Sequence, residues 1–361
     1  MNKDSGDILE EFKNKVLSLG KDLSSSLGLG ELVLNLIEIL QISRDRKFVF
    51  LLVGRTGVGK SSTINSLMGM EVAKVGRYDA TTMNVELYDN EINGVEFTVI
   101  DTPGLCDDLP EKGNDQKYIE LIKSKVGQID CMWFVTRLDE PRVTADEIRG
   151  IKIISEAFSP EVWERSIVVF TRADKADNYL EDLHERKKRV RSVIAEYTSV
   201  EIAESSPVVA VSNGLETTPD GKQWLGELWT KVFVRIRDQG AIPYLMATID
   251  RLGYGSKQSE PNWAWGNGST HQSNSTSKAQ EDQQSEKQRN QKVEFDEESF
   301  EEVRKRLFSV VPVLEKIGKV VGAMAGKFVG GKPGESLGGE FGKHVGGTVG
   351  KVVDFCFRLF N

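Results

Sequence analysis

Gly54-Arg55-Thr56-Gly57-Val58-Gly59-Lys60-Ser61 decides the fold. The stretch fits G-x-x-x-x-G-K-[ST] and stands between an apolar run at 48–53 and a helical pattern that opens at residue 60. Strand, glycine loop and helix in that order make a phosphate cradle. Backbone N–H groups wrap anionic oxygens, and the helix N-terminus adds the positive end of its dipole. In such a cradle Gly54, Arg55, Thr56, Gly57, Val58, Gly59 and Ser62 line the phosphates. Lys60 reaches the terminal phosphates as a catalytic charge, and Ser61 offers its hydroxyl to Mg²⁺. A chance glycine turn has no reason to carry that flanking strand and helix.

Working outward, Asp101-Thr102-Pro103-Gly104 follows an apolar run at 97–100. Asp101 at a strand end can hold Mg²⁺ through water, and the N–H of Gly104 can sense a γ-phosphate. Between the two motifs lies Asp79-Ala80-Thr81-Thr82. A threonine there, Thr82 in preference to Thr81, completes the Mg²⁺ shell, unless the segment is simply a polar loop. Thr171-Arg172-Ala173-Asp174 follows the run at 167–170. The carboxylate of Asp174 can accept N1–H and N2–H of guanine, a donor pair that adenine lacks. Thr171 and Arg172 stand where an amide and a lysine are more familiar, and the Arg172 stem can stack on a base. Ser212 and Asn213, after the run at 208–211, suit contacts near guanine O6, or a plain Asn-Gly turn. The expected ligands are GTP or GDP with Mg²⁺.

Apolar runs at 48–53, 85–88, 97–100, 131–135, 167–170 and 208–211 alternate with helical patterns near 60–68, 115–126, 144–157, 179–198 and 223–238. That alternation predicts an α/β class, a P-loop NTPase G domain with a mostly parallel sheet flanked by helices. It fills residues 47–240. Ahead of it, 1–46 carries two helical apolar sets; behind it, 252–293 is polar and reads as a disordered linker. Trp263 and Trp265 in that linker are a short docking motif or stray aromatics. The net charge of −8 argues against nucleic acid as a partner. Three scattered cysteines, Cys106, Cys131 and Cys356, show neither metal spacing nor a disulfide framework, and the polar opening residues predict no secretory signal. A cytoplasmic setting follows, free or at the cytosolic face of a membrane.

The tail, 294–361, has glycine at 318, 322, 326, 330, 334, 338, 342, 346 and 350. Pro333 interrupts the series, so two glycine-striped helices near 305–330 and 336–357 are expected. Each interior glycine costs about 1 kcal/mol relative to alanine, and close helix contact is the usual compensation. Two readings stand open. One is a membrane-associating or self-assembling hairpin. The other is a hairpin packed on itself or on the nucleotide domain. Lys319, Lys327, Lys343 and Lys351 interrupt the apolar surface. The segment 317–331 would span about 22 Å as a helix, short of the ~30 Å hydrocarbon core.

Over about 35–240 the chain resembles the paraseptin GTPases, which include the Toc-type chloroplast import receptors and the AIG/IAN/GIMAP-type immunity-associated proteins. The resemblance rests on Gly59-Lys60-Ser61-Ser62-Thr63-Ile64-Asn65-Ser66, on Asp101-Thr102-Pro103-Gly104-Leu105 and on Thr171-Arg172-Ala173-Asp174. Arg137-Leu138-Asp139-Glu140-Pro141-Arg142-Val143 looks like the Toc branch, whereas the Thr-Arg-x-Asp box looks like the immunity branch. The resemblance implies a dimerisation-dependent GTPase switch that pairs across the nucleotide face. Leu105 stands where Ras-like enzymes place a catalytic glutamine, which implies slow intrinsic hydrolysis. Arg142 matches an arginine that reaches toward the partner's nucleotide, either as a catalytic charge in trans or as a dimer contact. A GTP-sensing membrane-active effector and a GTP-binding scaffold with negligible turnover are the other functions the sequence leaves open.

Overall fold

The computed structural model describes residues 23–75, 85–102, 120, 123, 128–253, 291–324, 337–339, 342–343 and 345–360. Six strands form one sheet in the order β2-β3-β1-β4-β5-β6. They are β1 (Phe48–Val53), β2 (Glu86–Ile92), β3 (Val95–Asp101), β4 (Cys131–Arg137), β5 (Ser166–Thr171) and β6 (Val208–Ala210). Four neighbouring pairs are parallel; β2 alone runs antiparallel, against β3. The sheet is thus mostly parallel, as the alternation of patterns required. The antiparallel edge comes from a two-residue turn, Asn93-Gly94, with φ of 56° and 75°. Positive φ at both positions fits the tight hairpin turn that asparagine and glycine favour.

Nearly every residue of the four central strands is buried, which is why they read as continuous apolar runs rather than alternating ones. Alternate side chains serve opposite faces. Leu51, Val53, Met132, Phe134, Val168 and Phe170 meet α3 (Ala145–Phe158) and α4 (Tyr179–Tyr197). Phe48, Phe50, Leu52, Trp133 and Val169 face the other way, against α1 (Leu23–Arg44), α2 (Lys60–Met68), α6 (Trp224–Arg235) and α7 (Asp238–Thr248). A short α5 (Val200–Ser205) precedes β6. Aromatic rings dominate the second face: Phe48 stacks on Phe97 at 4.9 Å, and Trp229 stacks on Tyr244 at 5.4 Å.

The helix expected near 223–238 is two. Backbone at Ile236 turns extended, with ψ of 145°, and α7 starts two residues later. Pro243 lies inside α7, so the sequence showed no helix there, yet every residue from Gly240 to Thr248 is buried. Burial all round offsets the lost backbone bond. The core therefore continues past residue 240.

The tail helices join that same core. α8 (Glu297–Val310), α9 (Val313–Met324) and α10 (Gly347–Arg358) place Val303, Leu307, Leu314, Ile317, Val321, Val352 and Phe357 among residues of α1, α6 and α7. The helix expected near 305–330 breaks at Val311, where φ is −131° ahead of Pro312. Proline disfavours helical geometry in the residue before it. The first helical set at 1–22, the pattern at 115–126 apart from Glu120 and Lys123, and all of 252–293 but its ends lie outside the described residues. Those ends meet: Leu252 bridges Val293, and Gly253 N–H donates to Val293 O at 2.8 Å.

Among the described residues the expected close contact of the glycine series is tightest between Gly342 and Gly350, and Gly338 approaches Asp354 and Phe357 as well. A Cβ on Gly350 would lie 2.2 Å from the carbonyl oxygen of Gly342. Gly350→Leu is expected to destabilise the protein by about 1–3 kcal/mol, an overpacking cost. Thermal unfolding reads it. An unchanged midpoint would mean that this contact does not form in solution. Gly322, by contrast, faces open space.

Candidate functional site

The phosphate loop leaves β1 at the carboxyl edge of the sheet. Its Gly54, Gly57 and Gly59 all take positive φ. Gly54 is also forced by space, since a Cβ there would fall 2.1 Å from the carbonyl oxygen of Val135. Lys60 is buried, and its ammonium donates to Gly54 O at 3.1 Å and Arg55 O at 3.2 Å. It stands 3.6 Å from Asp101 Oδ1. Ser61 Oγ donates to the other oxygen, Asp101 Oδ2, at 3.0 Å.

Ser61 and Asp101, remote in sequence, are therefore neighbours, and both are hard oxygen donors of the kind Mg²⁺ takes. Asp101 Oδ1 is buried without a hydrogen bond among the described residues, an acceptor suited to a cation or its water. Among the described residues no group of three or more His, Cys, Asp or Glu gathers elsewhere as a metal site. Magnesium in phosphate sites takes one or two protein ligands and keeps its waters, so the donor set fits.

The base-reading segment is fastened to the phosphate loop. Thr171 Oγ1 donates to Val58 O at 2.6 Å and to Thr136 O at 3.2 Å. Asn213 Nδ2 donates to Thr63 Oγ1 at 2.8 Å, and Thr63 Oγ1 donates to Gly59 O at 2.8 Å. Leu215 N–H closes a turn onto Ser212 O at 2.8 Å, so the Asn213-Gly214 turn is formed. Ser212 Oγ and Asn213 Oδ1 are buried without partners among the described residues. Arg172 takes a left-handed φ of 57°, which swings the chain into a short 3₁₀ turn, Ala173–Lys175. Asp174 in that turn keeps 20% of its side chain exposed, with Lys175 Nζ at 3.2 Å.

Thr82 and Gly104, with Leu105, lie outside the described residues. Arg142 is exposed and forms no ion pair among the described residues.

Three groups were missed at the sequence level. Arg137 clasps Asp139 through Nε at 2.8 Å and Nη2 at 2.6 Å; these bonds hold the Asp139 carboxyl below its ordinary pKa. Arg55 pairs with Glu140. Beneath them Arg186 and Glu147, 1% and 2% exposed, form an ion pair at 2.6 Å, and Arg186 also donates to Thr136 Oγ1 at 2.9 Å. Glu147 was visible as the last position of a Thr144-x-x-Glu147 capping box. Nothing in the sequence marked Arg186, in a run of exposed charges, as its buried partner.

A family model described as the AIG1 family matches residues 48–203. Translocase of chloroplast 34 from Arabidopsis thaliana is 30% identical over 203 residues, 50% of this chain and 63% of that protein. GTP-binding protein A from Dictyostelium discoideum is 34% identical over 125 residues, 34% of this chain and 28% of that protein. The chain thus spans less than two thirds of the length of either relative. Among solved structures, Toc33 from Arabidopsis thaliana in complex with GDP and Mg²⁺ is 23% identical with a TM-score of 0.45, over 60% of this chain and 92% of that one.

Proposed function

With residues 48–203 as an AIG1-family domain, we propose that the chain is a GTP-binding switch. It hydrolyses GTP to GDP and phosphate slowly alone, and faster when two copies meet across their nucleotide faces. The observation that carries the reading is the fastening of base box to phosphate loop through Thr171 and Val58. It holds Asp174 and Lys60 in one rigid frame, one for a base edge and one for phosphates. Backbone N–H groups of residues 54–62 wrap the phosphates, and Lys60 exchanges its two carbonyl partners for phosphate oxygens. Ser61 and Asp101 hold Mg²⁺, with Thr82 as the switch ligand, and the ion offsets phosphate charge when bound. Gly104 senses the γ-phosphate. Leu105 offers no group to orient water, which keeps the lone domain slow.

Arg142, exposed and without an ion pair among the described residues, is the charge offered to the partner's phosphates. Turnover per molecule should rise with protein concentration in the wild type and stay flat in Arg142→Ala, a difference of about ten- to a hundredfold at high concentration. A wild-type rate independent of concentration would remove the arginine in trans from the mechanism.

The tail acts in this reading as a fixed buttress. Its described apolar faces are buried in the nucleotide domain, and no helix among the described residues is long and apolar enough to cross a membrane. Contact of 294–361 with a membrane or with other copies, and a place at a membrane's cytosolic face, require α9 and α10 to undock first.

A further inference from the structure

We propose that Glu140 is a positioning residue that couples the phosphate loop to the segment presenting Arg142. Its functional consequence rests on the arginine-in-trans reading; its geometry does not.

Residues 138–144 join β4 to α3. The segment starts rigidly, because Leu138 N–H donates to Thr171 O at 2.9 Å and Arg137 clasps Asp139. It ends rigidly too. Thr144 N–H donates to Glu147 Oε2 at 2.8 Å, and Glu147 is held in turn by Arg186. Pro141 O accepts from Arg189 Nη1 of α4 at 3.1 Å. These anchors belong to the scaffold of β4, α3, α4 and β5; Thr171 is itself bonded to the phosphate loop at Val58 O, but none of the anchors within 138–144 reaches that loop by its side chain.

Glu140 does. One carboxylate oxygen, Oε1, stands 3.2 Å from Arg137 Nη1, and the other accepts from Arg55 Nη2 in the phosphate loop. The two side chains of that pair are 22% and 26% exposed, where an ion pair is screened less than on an open surface. Arg142 lies two residues further on.

The drive for the coupling is also present. Lys60 Nζ is bonded to Arg55 O at 3.2 Å. Phosphate oxygens compete for that ammonium, and when it turns to them the Arg55 carbonyl is released. A shift of Arg55 carries Glu140 with it, and Glu140 carries Arg142. The charge offered to the partner is thereby set by the state of the phosphate loop.

A nitroxide on Arg142→Cys, in a chain with Cys106→Ser, reports the coupling in dilute solution; Cys131 and Cys356 are buried and spared. The expected result is a change in label mobility on adding GDP and Mg²⁺. It disappears in Glu140→Ala, returns in part in Glu140→Asp, and comes with GDP affinity within about threefold of the parent. A label that does not respond in the parent, or one that responds equally in Glu140→Ala, overturns the proposal. Concentration-dependent hydrolysis of the Arg142-bearing Glu140→Ala chain is measured alongside. If the label behaves as expected while wild-type hydrolysis is flat with concentration, the coupling stands and the arginine-in-trans reading alone falls.

Discussion

Asp174→Ala is expected to weaken GDP binding by about 10²–10³-fold and to erase the preference for GDP over ADP. The carboxylate would accept two N–H groups of guanine, and each hydrogen bond to a charged group contributes about 1.5–3 kcal/mol. Selectivity has the same source. Adenine brings no matching donors, so the carboxylate would lose water and gain nothing in return. The fold should not notice the change. The ion partner of Asp174, Lys175, is itself 68% exposed, and pairs of that kind contribute about 0–1 kcal/mol. Calorimetric titration with GDP and ADP, beside a thermal scan, separates the two effects. Unchanged GDP affinity in the variant would show that the Thr171–Asp174 segment does not read the base.

Arg186→Ala should produce the largest loss of stability, about 3–5 kcal/mol. The ion pair with Glu147 is shut from water, and removing the guanidinium leaves a buried carboxylate uncompensated. Burial opposes ionisation of Glu147, yet the charge of Arg186 and the bonds from Arg186 and Thr136 leave its pKa below the ordinary value. A folded pKa below the unfolded one stabilises the protein above the unfolded value, about 4.3, and that contribution is lost as pH falls through the folded value. In Arg186→Ala the carboxyl can instead protonate, so the gap from wild type should narrow on acidification. Glu147→Gln/Arg186→Met, which removes both charges and keeps the volume, should recover more than half of the loss. Urea unfolding at pH 7 and pH 4 tests both points. A loss under about 1 kcal/mol at pH 7 would mean that water reaches the pair.

The strands and the site were legible to different depths. The four central strands announced themselves because burial on both faces leaves few polar positions in the run, Glu96 and Thr98 of β3 among them. β2 was legible as a strand and illegible in direction; the Asn93-Gly94 turn was the available sign. In the candidate site, Gly54, Lys60 and Ser61 stood out because one contiguous loop carries their pattern. The joining of Ser61 to Asp101, or of Thr171 to Val58, depends on strand order, which no local pattern encodes. Thr171 shows the limit well. Its type suggested a substitute for an amide near the base, whereas its hydroxyl ties two loops together. The tail left two readings open for a related reason. Its glycine spacing revealed a need for close contact without naming the surface, and the neighbour for most of its apolar residues turned out to be α1, α6 and α7.

The meeting of Leu252 with Val293 has a bearing on how such a chain changes over generations. Because Gly253 and Val293 are already joined, the stretch between them is a closed excursion, and the buttress beyond it does not hang from its length. For a chain segment in general, doubling its length raises the cost of closing it by only about 0.6 kcal/mol. Selection can therefore lengthen, shorten or rewrite those residues almost freely while the helices that follow keep their seat. The seat of those helices is then set by a single pair of backbone bonds and not by the number of residues that lead up to it.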